Sequence, residues 1–124
     1  MPKVSKETAQ FADHGPVEEW SEEVEGYAVN FVAFKQDIDS TPLLKGLPGD
    51  RCHCPHWGYV LTGRVTFGFG DREEVFEAGD AFYVPAGHTQ RVAAGTEYLQ
   101  FSPQEQLREV DEAIMRNMRA LQGA

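Results

Sequence analysis

The chain has 124 residues, of which 41% are hydrophobic and 25% charged, the composition of one globular domain with a single core. Twenty acidic residues against 11 basic ones leave a net charge of −9, which argues against nucleic acid, whose phosphates call for lysine and arginine stripes, and against anionic membrane surfaces. No apolar run approaches the about 18 residues of a membrane span, and the start, Met1-Pro2-Lys3-Val4-Ser5, lacks the apolar region of a signal peptide, so the expectation is a cytoplasmic chain with reduced thiols.

Residues 1–19 are polar and without a period, and Phe11-Ala12-Asp13-His14-Gly15-Pro16 reads as a loop. From Trp20 to Phe34 apolar residues fall on both parities, which predicts one strand covered on both faces. Residues 36–50 carry Pro42, Gly46, Pro48 and Gly49 and read as loop.

A strand is then predicted from Cys52 to Leu61. Alternation puts Cys52, Cys54 and His56 on one face and His53 and Trp57 on the other. Two thiols and an imidazole on one side of one strand suit a transition metal, zinc above all, while either cysteine alone would be an ordinary small core residue. A Cys52–Cys54 disulfide is disfavoured, because same-face neighbours on a strand sit too far apart. Pro55 is the one residue able to upset this parity and bring His53 in for a cysteine.

Short strands bounded by Gly or Pro follow at Val65–Phe69, Glu74–Glu77, Ala81–Val84, Arg91–Ala93 and Glu97–Phe101. Regularly spaced short strands are the pattern of an all-β sandwich or barrel. Alternation sends one of Phe82 and Tyr83 inward, and most aromatic residues are expected in the core. Gln90 and Tyr98 are candidates for polar groups near the site, though no spacing rule marks them out. Ser102-Pro103-Gln104-Glu105 reads as a capping box with Pro at the first helical position. Leu107, Val110, Ile114, Met118 and Leu121 then recur at helical spacing and predict a helix packed by one face on the barrel or on a second subunit. The expected divisions are an arm at 1–19, a barrel at 20–101 and a helix at 102–122.

Two segments resemble the sequence motifs of the cupin family. Gly49, the Cys/His cluster, Tyr59-Val60-Leu61 and Gly63 follow the frame of the first motif. Gly79-Asp80-Ala81-Phe82-Tyr83-Val84-Pro85-Ala86-Gly87-His88 follows the second. The resemblance spans about residues 25–101 and departs in its ligands. His56 stands at the usual glutamate position, Cys52 and Cys54 stand near the usual histidines, and the second-motif histidine is His88, with Gln90 where it usually falls. The chain is also similar to a subgroup of small cupins carrying Cys-x-Cys-Pro-His-Trp-Gly-Tyr-Val and Pro-x-Gly-His-Thr. The resemblance implies an all-β double-stranded β-helix or jelly-roll barrel and a homodimer. It also implies that the two motif strands bring His88 to Cys52, Cys54 and His56. That Cys2His2 set suits zinc, with iron or nickel admissible if only three residues bind. Two functions follow: a small metalloenzyme acting on a small organic molecule in the barrel, or a sensing or binding module with a structural zinc. No acidic residue is marked as a general base, and no nucleophile elbow, P-loop or dinucleotide fingerprint is present.

Overall fold

The structure, a computed structural model, describes residues 3–122. The first two residues of the expected N-terminal arm lie outside the described residues.

The chain opens with two hairpins where the sequence suggested a loop and one strand. Strand β1 (Gln10–Asp13) turns through His14-Gly15-Pro16 into β2 (Val17–Val24). Phe11 lies opposite Trp20 across this pair, with ring centroids 5.2 Å apart, and Lys6 sits 4.4 Å above the Trp20 ring and pairs with Glu97. These contacts order a segment whose local sequence carries no period. Strand β2 then reverses at Glu25-Gly26 into β3 (Tyr27–Phe34). Both turn residues have positive φ, 52° and 81°, the conformation that tight hairpin turns of the primed type require. The expected single strand over Trp20–Phe34 is therefore two.

Next come the short β4 (Ile38–Asp39) and two 3-10 turns, Thr41–Leu44 and Pro48–Asp50. The rest of the barrel is β5 (His56–Thr62), β6 (Arg64–Gly68), β7 (Glu73–Glu77), β8 (Ala81–Val84), β9 (Thr89–Val92) and β10 (Glu97–Pro103). Helix α1 (Gln104–Gln122) ends the chain. The strands form a six-stranded sheet, β1-β2-β3-β10-β5-β8, and a four-stranded sheet, β4-β9-β6-β7, all antiparallel. The two sheets face each other across a core that includes Val32, Val60, Val65, Phe67, Phe82 and Val84.

At one end of the barrel a second cluster joins Leu44, Cys52 and Cys54 to Leu107 and Val110 of α1. Asn117 fixes the far part of the helix by donating from Nδ2 to the carbonyls of Leu43 (2.7 Å) and Lys45 (2.9 Å). The apolar stripe of α1 is used for this packing up to Met118, while Leu121 is 62% exposed. The expected capping box does not operate as read. Ser102 and Pro103 still belong to β10, opposite Ala28 and Tyr27, and the helix begins only at Gln104.

Candidate metal centre

The barrel encloses a cavity of about 260 Å³, roofed by α1. Cys52, His56 and His88 meet on its wall, and one donor atom from each lies within 4.8 Å of the others. Each is placed by a different device. His56 is the first residue of β5 and points inward with Gly58 and Val60. Cys52 precedes the strand and forms an isolated antiparallel bridge with His88. Its N–H donates to the His88 carbonyl at 2.8 Å, and the His88 N–H donates back at 3.1 Å. This backbone pair carries the first-motif thiol to the second-motif imidazole.

Both imidazoles are oriented from behind. The His88 Nδ1–H donates to the Pro85 carbonyl at 2.8 Å, which leaves the Nε2 lone pair free. His56 Nδ1 bonds the Ser102 hydroxyl at 2.7 Å, and its Nε2 lies 3.7 Å from Cys52 Sγ. Tetrahedral zinc with a thiolate at about 2.3 Å and an imidazole at about 2.05 Å holds sulfur and nitrogen about 3.6 Å apart, so the pair has the spacing that ligation requires. Histidines held by a second partner at the other ring nitrogen are the usual arrangement in metal sites. Burial holds His56 down to about 3 and also lowers His88, so both rings are neutral and can coordinate. Burial pushes the Cys52 thiol up to about 11, and a bound cation is the charge that would offset this and favour the thiolate.

Cys54 departs from the expected set. It is fully buried, but its Sγ donates weakly toward the carbonyls of Pro55 (3.5 Å) and Pro103 (3.9 Å), and its thiol is not among the three donors that converge. Parity does carry back through Pro55, since Cys52, Cys54 and His56 are buried and His53 and Trp57 exposed, but the Cys54 thiol is turned to the carbonyls of Pro55 and Pro103. His53 is exposed on the surface, with Nε2 2.6 Å from the Pro48 carbonyl, and does not replace it.

Other residues around the cavity emerge only from the fold. Ser102, read as a helix cap, is fully buried and positions His56 from 46 residues away. His14 reaches the cavity from the β1–β2 turn, and Gln90 and Tyr98 line it as a pair, with Gln90 Nε2 donating to the Tyr98 hydroxyl at 3.3 Å. Phe82 is the inward member of its pair with Tyr83. Glu19 and Asp111 also line the cavity, and no sequence spacing joins a residue of β2 to one of α1.

Residues 52–101 match a family described as the cupin domain. The fold is similar to that of an RmlC-like cupin from Shewanella frigidimarina, at 18% identity and a TM-score of 0.56, covering 81% of this chain and 88% of that one. The chain carries a cupin domain and has the cupin fold. A protein from Rhizobium leguminosarum bv. viciae matches this cupin with a TM-score of 0.60 at 17% identity, over 82% of this chain and 95% of that one. The polyketide cyclase RemF from Streptomyces resistomycificus matches it with a TM-score of 0.57 at 14% identity, over 83% and 79%. At such identities the likeness is one of fold. No curated protein matches this cupin in sequence. Among the described residues no helix is long and apolar enough to cross a membrane.

Proposed function

We propose that this cupin is a small metalloenzyme that acts on a small organic molecule in its barrel, with Cys52, His56 and His88 holding the metal. The observation that carries the reading is the convergence of these three donors, with no fourth among the described residues, on the wall of a cavity. Three protein ligands leave a coordination position for water or substrate, the mark of catalytic rather than structural zinc. Zinc suits one thiolate and two imidazoles best, and iron(II) or nickel is compatible with the same set. When bound, the metal would supply Lewis-acid polarisation of an oxygen or an activated water. The protein's own part is to fix the His56 and His88 rings through Ser102 and Pro85, and to surround the substrate with an apolar wall. Kinship of fold with a cyclase is consistent with chemistry in such a barrel, but function follows the site and not the fold. The structural Cys2His2 reading requires the Cys54 thiol to leave its carbonyl partners.

Cobalt substitution tests this directly. The cobalt(II) protein should show thiolate-to-metal charge-transfer absorption that disappears in Cys52→Ala and persists in Cys54→Ala. Loss of that absorption in Cys54→Ala would instead support the four-ligand structural site.

We also propose that the protein is a homodimer, joined through the outer face of the six-stranded sheet. Phe11, Trp20, Phe31, Leu99 and Tyr59 stand in one register row across five strands of that face. Phe101, Trp57 and Tyr83 form a second row beside it, each more than 40% exposed. A contiguous aromatic sheet face of this kind marks a protein interface.

A further inference from the structure

The charge of the cavity is one-sided. No lysine or arginine lines it among the described residues, whereas Glu19 of β2 and Asp111 of α1 both do. Neither carboxylate has an ion-pair partner among the described residues. His14 is the group of opposite sign that bears on Glu19, and its effect is smaller than that of burial. Asp111 feels both the surrounding wall and the charge of Glu19, and each holds its carboxyl above the ordinary range. Glu19 is half-buried and Asp111 is exposed on the helix, and two carboxylates facing one chamber are joined more favourably by a cation than left to repel each other.

The same two residues, with Leu107 and Met115, also line a second, outer chamber of about 430 Å³ between α1 and the strands β2 and β3. A separate feature of that outer chamber points to a ligand. Asn30 lines it, is only 3% exposed, and its Oδ1 has no hydrogen-bond partner. Gln104 Oε1, on the same wall, is also buried and unpartnered. Buried amide oxygens without donors are uncommon, because each forfeits its hydration. Arg108 and Arg119 line the outer chamber only, both exposed, and Arg108 pairs with Glu105 at 4.0 Å.

Acceptors therefore gather on one side of the cavity system, and the barrel beyond them offers the apolar side chains of Val32, Phe34, Leu44 and Ile114. We propose that the cavity takes a small organic cation, an ammonium- or amidinium-bearing molecule with an apolar body, whose charge is seated between Glu19 and Asp111. The inference rests on the reading of the barrel as a small-molecule site and adds the substrate class to it. Small carboxylates and phosphates would find no lysine or arginine in the barrel cavity among the described residues, and only the metal to pair with.

Benzamidine, benzamide and benzoate have nearly one shape and differ in charge, and a protonated amidine is a poor metal ligand. Calorimetric titration of the metal-loaded protein should find benzamidine binding at least about tenfold tighter than benzamide, with any benzoate binding lost when the metal is removed. Glu19→Gln and Asp111→Asn, both isosteric, should each remove most of that preference while the metal content stays unchanged. Failure of benzamidine to bind, equal or tighter binding of benzamide, or a preference that survives both substitutions would overturn the proposal. Metal analysis of the same samples separates the two readings. A preference for the cation with no bound metal sinks the metal centre alone, and a retained metal with no preference sinks the cation site alone.

Discussion

His56 shows how much of the site is set by single contacts. Its Nδ1 is engaged by Ser102 and its Nε2 faces Cys52, so the ring cannot rotate without losing a buried hydrogen bond. Ser102→Ala should leave the fold intact and weaken metal binding by about 10–100-fold, the usual cost of losing a partner behind a ligand, as read by chelator competition. Unchanged affinity would show that Ser102 is packing alone. Gly58, inward on the same strand, is constrained by space. A Cβ there would stand 2.3 Å from Phe82 Cζ and 2.5 Å from the Leu99 carbonyl oxygen. Gly58→Ala should therefore cost about 1–3 kcal/mol or more in urea unfolding, as overpacked cores do. At this scale the sequence was partly legible. That Cys52 and His56 share a face is legible in their spacing, and that His88 comes to them is legible only through the motif frame. Cys54 shares their buried parity, and the neighbour its thiol meets, Pro103 of β10, is distant in the chain and not legible from spacing. Ser102 was hidden because its local pattern offers a cap, and its real partner is distant in the chain.

Helix α1 covers one end of the barrel cavity, which stays partly open to solvent. Its apolar stripe was visible as a 3.6-residue period, and the structure uses it through Leu107, Val110 and Ile114. Its polar face was not legible in the same way, because what Asp111 meets depends on β2. Asn117→Ala removes two bonds to the Thr41–Leu44 turn region and should cost about 1–2 kcal/mol, measured by thermal or urea unfolding. Asp111 also gives the helix a pH dependence. Its carboxyl is raised in the folded state, first by desolvation and then by Glu19, so the folded form favours the protonated acid. That contribution to stability is full below the ordinary value of about 3.9 and is lost as pH rises through the raised folded value. Urea midpoints should thus fall more between mildly acidic and neutral pH in wild type than in Asp111→Asn, where this group cannot ionise. Parallel profiles would contradict the assignment. The β1–β2 and β2–β3 hairpins were the least legible elements, since Phe11 and Trp20 declare a strand pair only once they are opposite each other.

The whole molecule divides its aromatic residues between two surfaces, and this was where composition misled. A core role was expected for most of them, yet a large share stand on the outer face of the six-stranded sheet, with Tyr83 at 53% exposure and Trp57 at 43%. Which parity of a strand faces the barrel is fixed only by closure of the two sheets. The proposed dimer would bury that face against a second copy. Tyr59→Lys with Trp57→Lys should convert the protein to a monomer in sedimentation equilibrium while the barrel still folds. A wild-type protein that is already monomeric at micromolar concentration would contradict the dimer.

The central claim is that three residues from two motifs hold one metal ion. Elemental analysis of protein purified without added metal or a histidine tag tests it most directly, with Cys52→Ala, Cys54→Ala and His88→Ala prepared alongside wild type. About one transition-metal ion per chain is expected in wild type, lost in Cys52→Ala and His88→Ala and retained in Cys54→Ala. Wild type without metal, or folded Cys52→Ala and His88→Ala variants that keep it, would contradict the account.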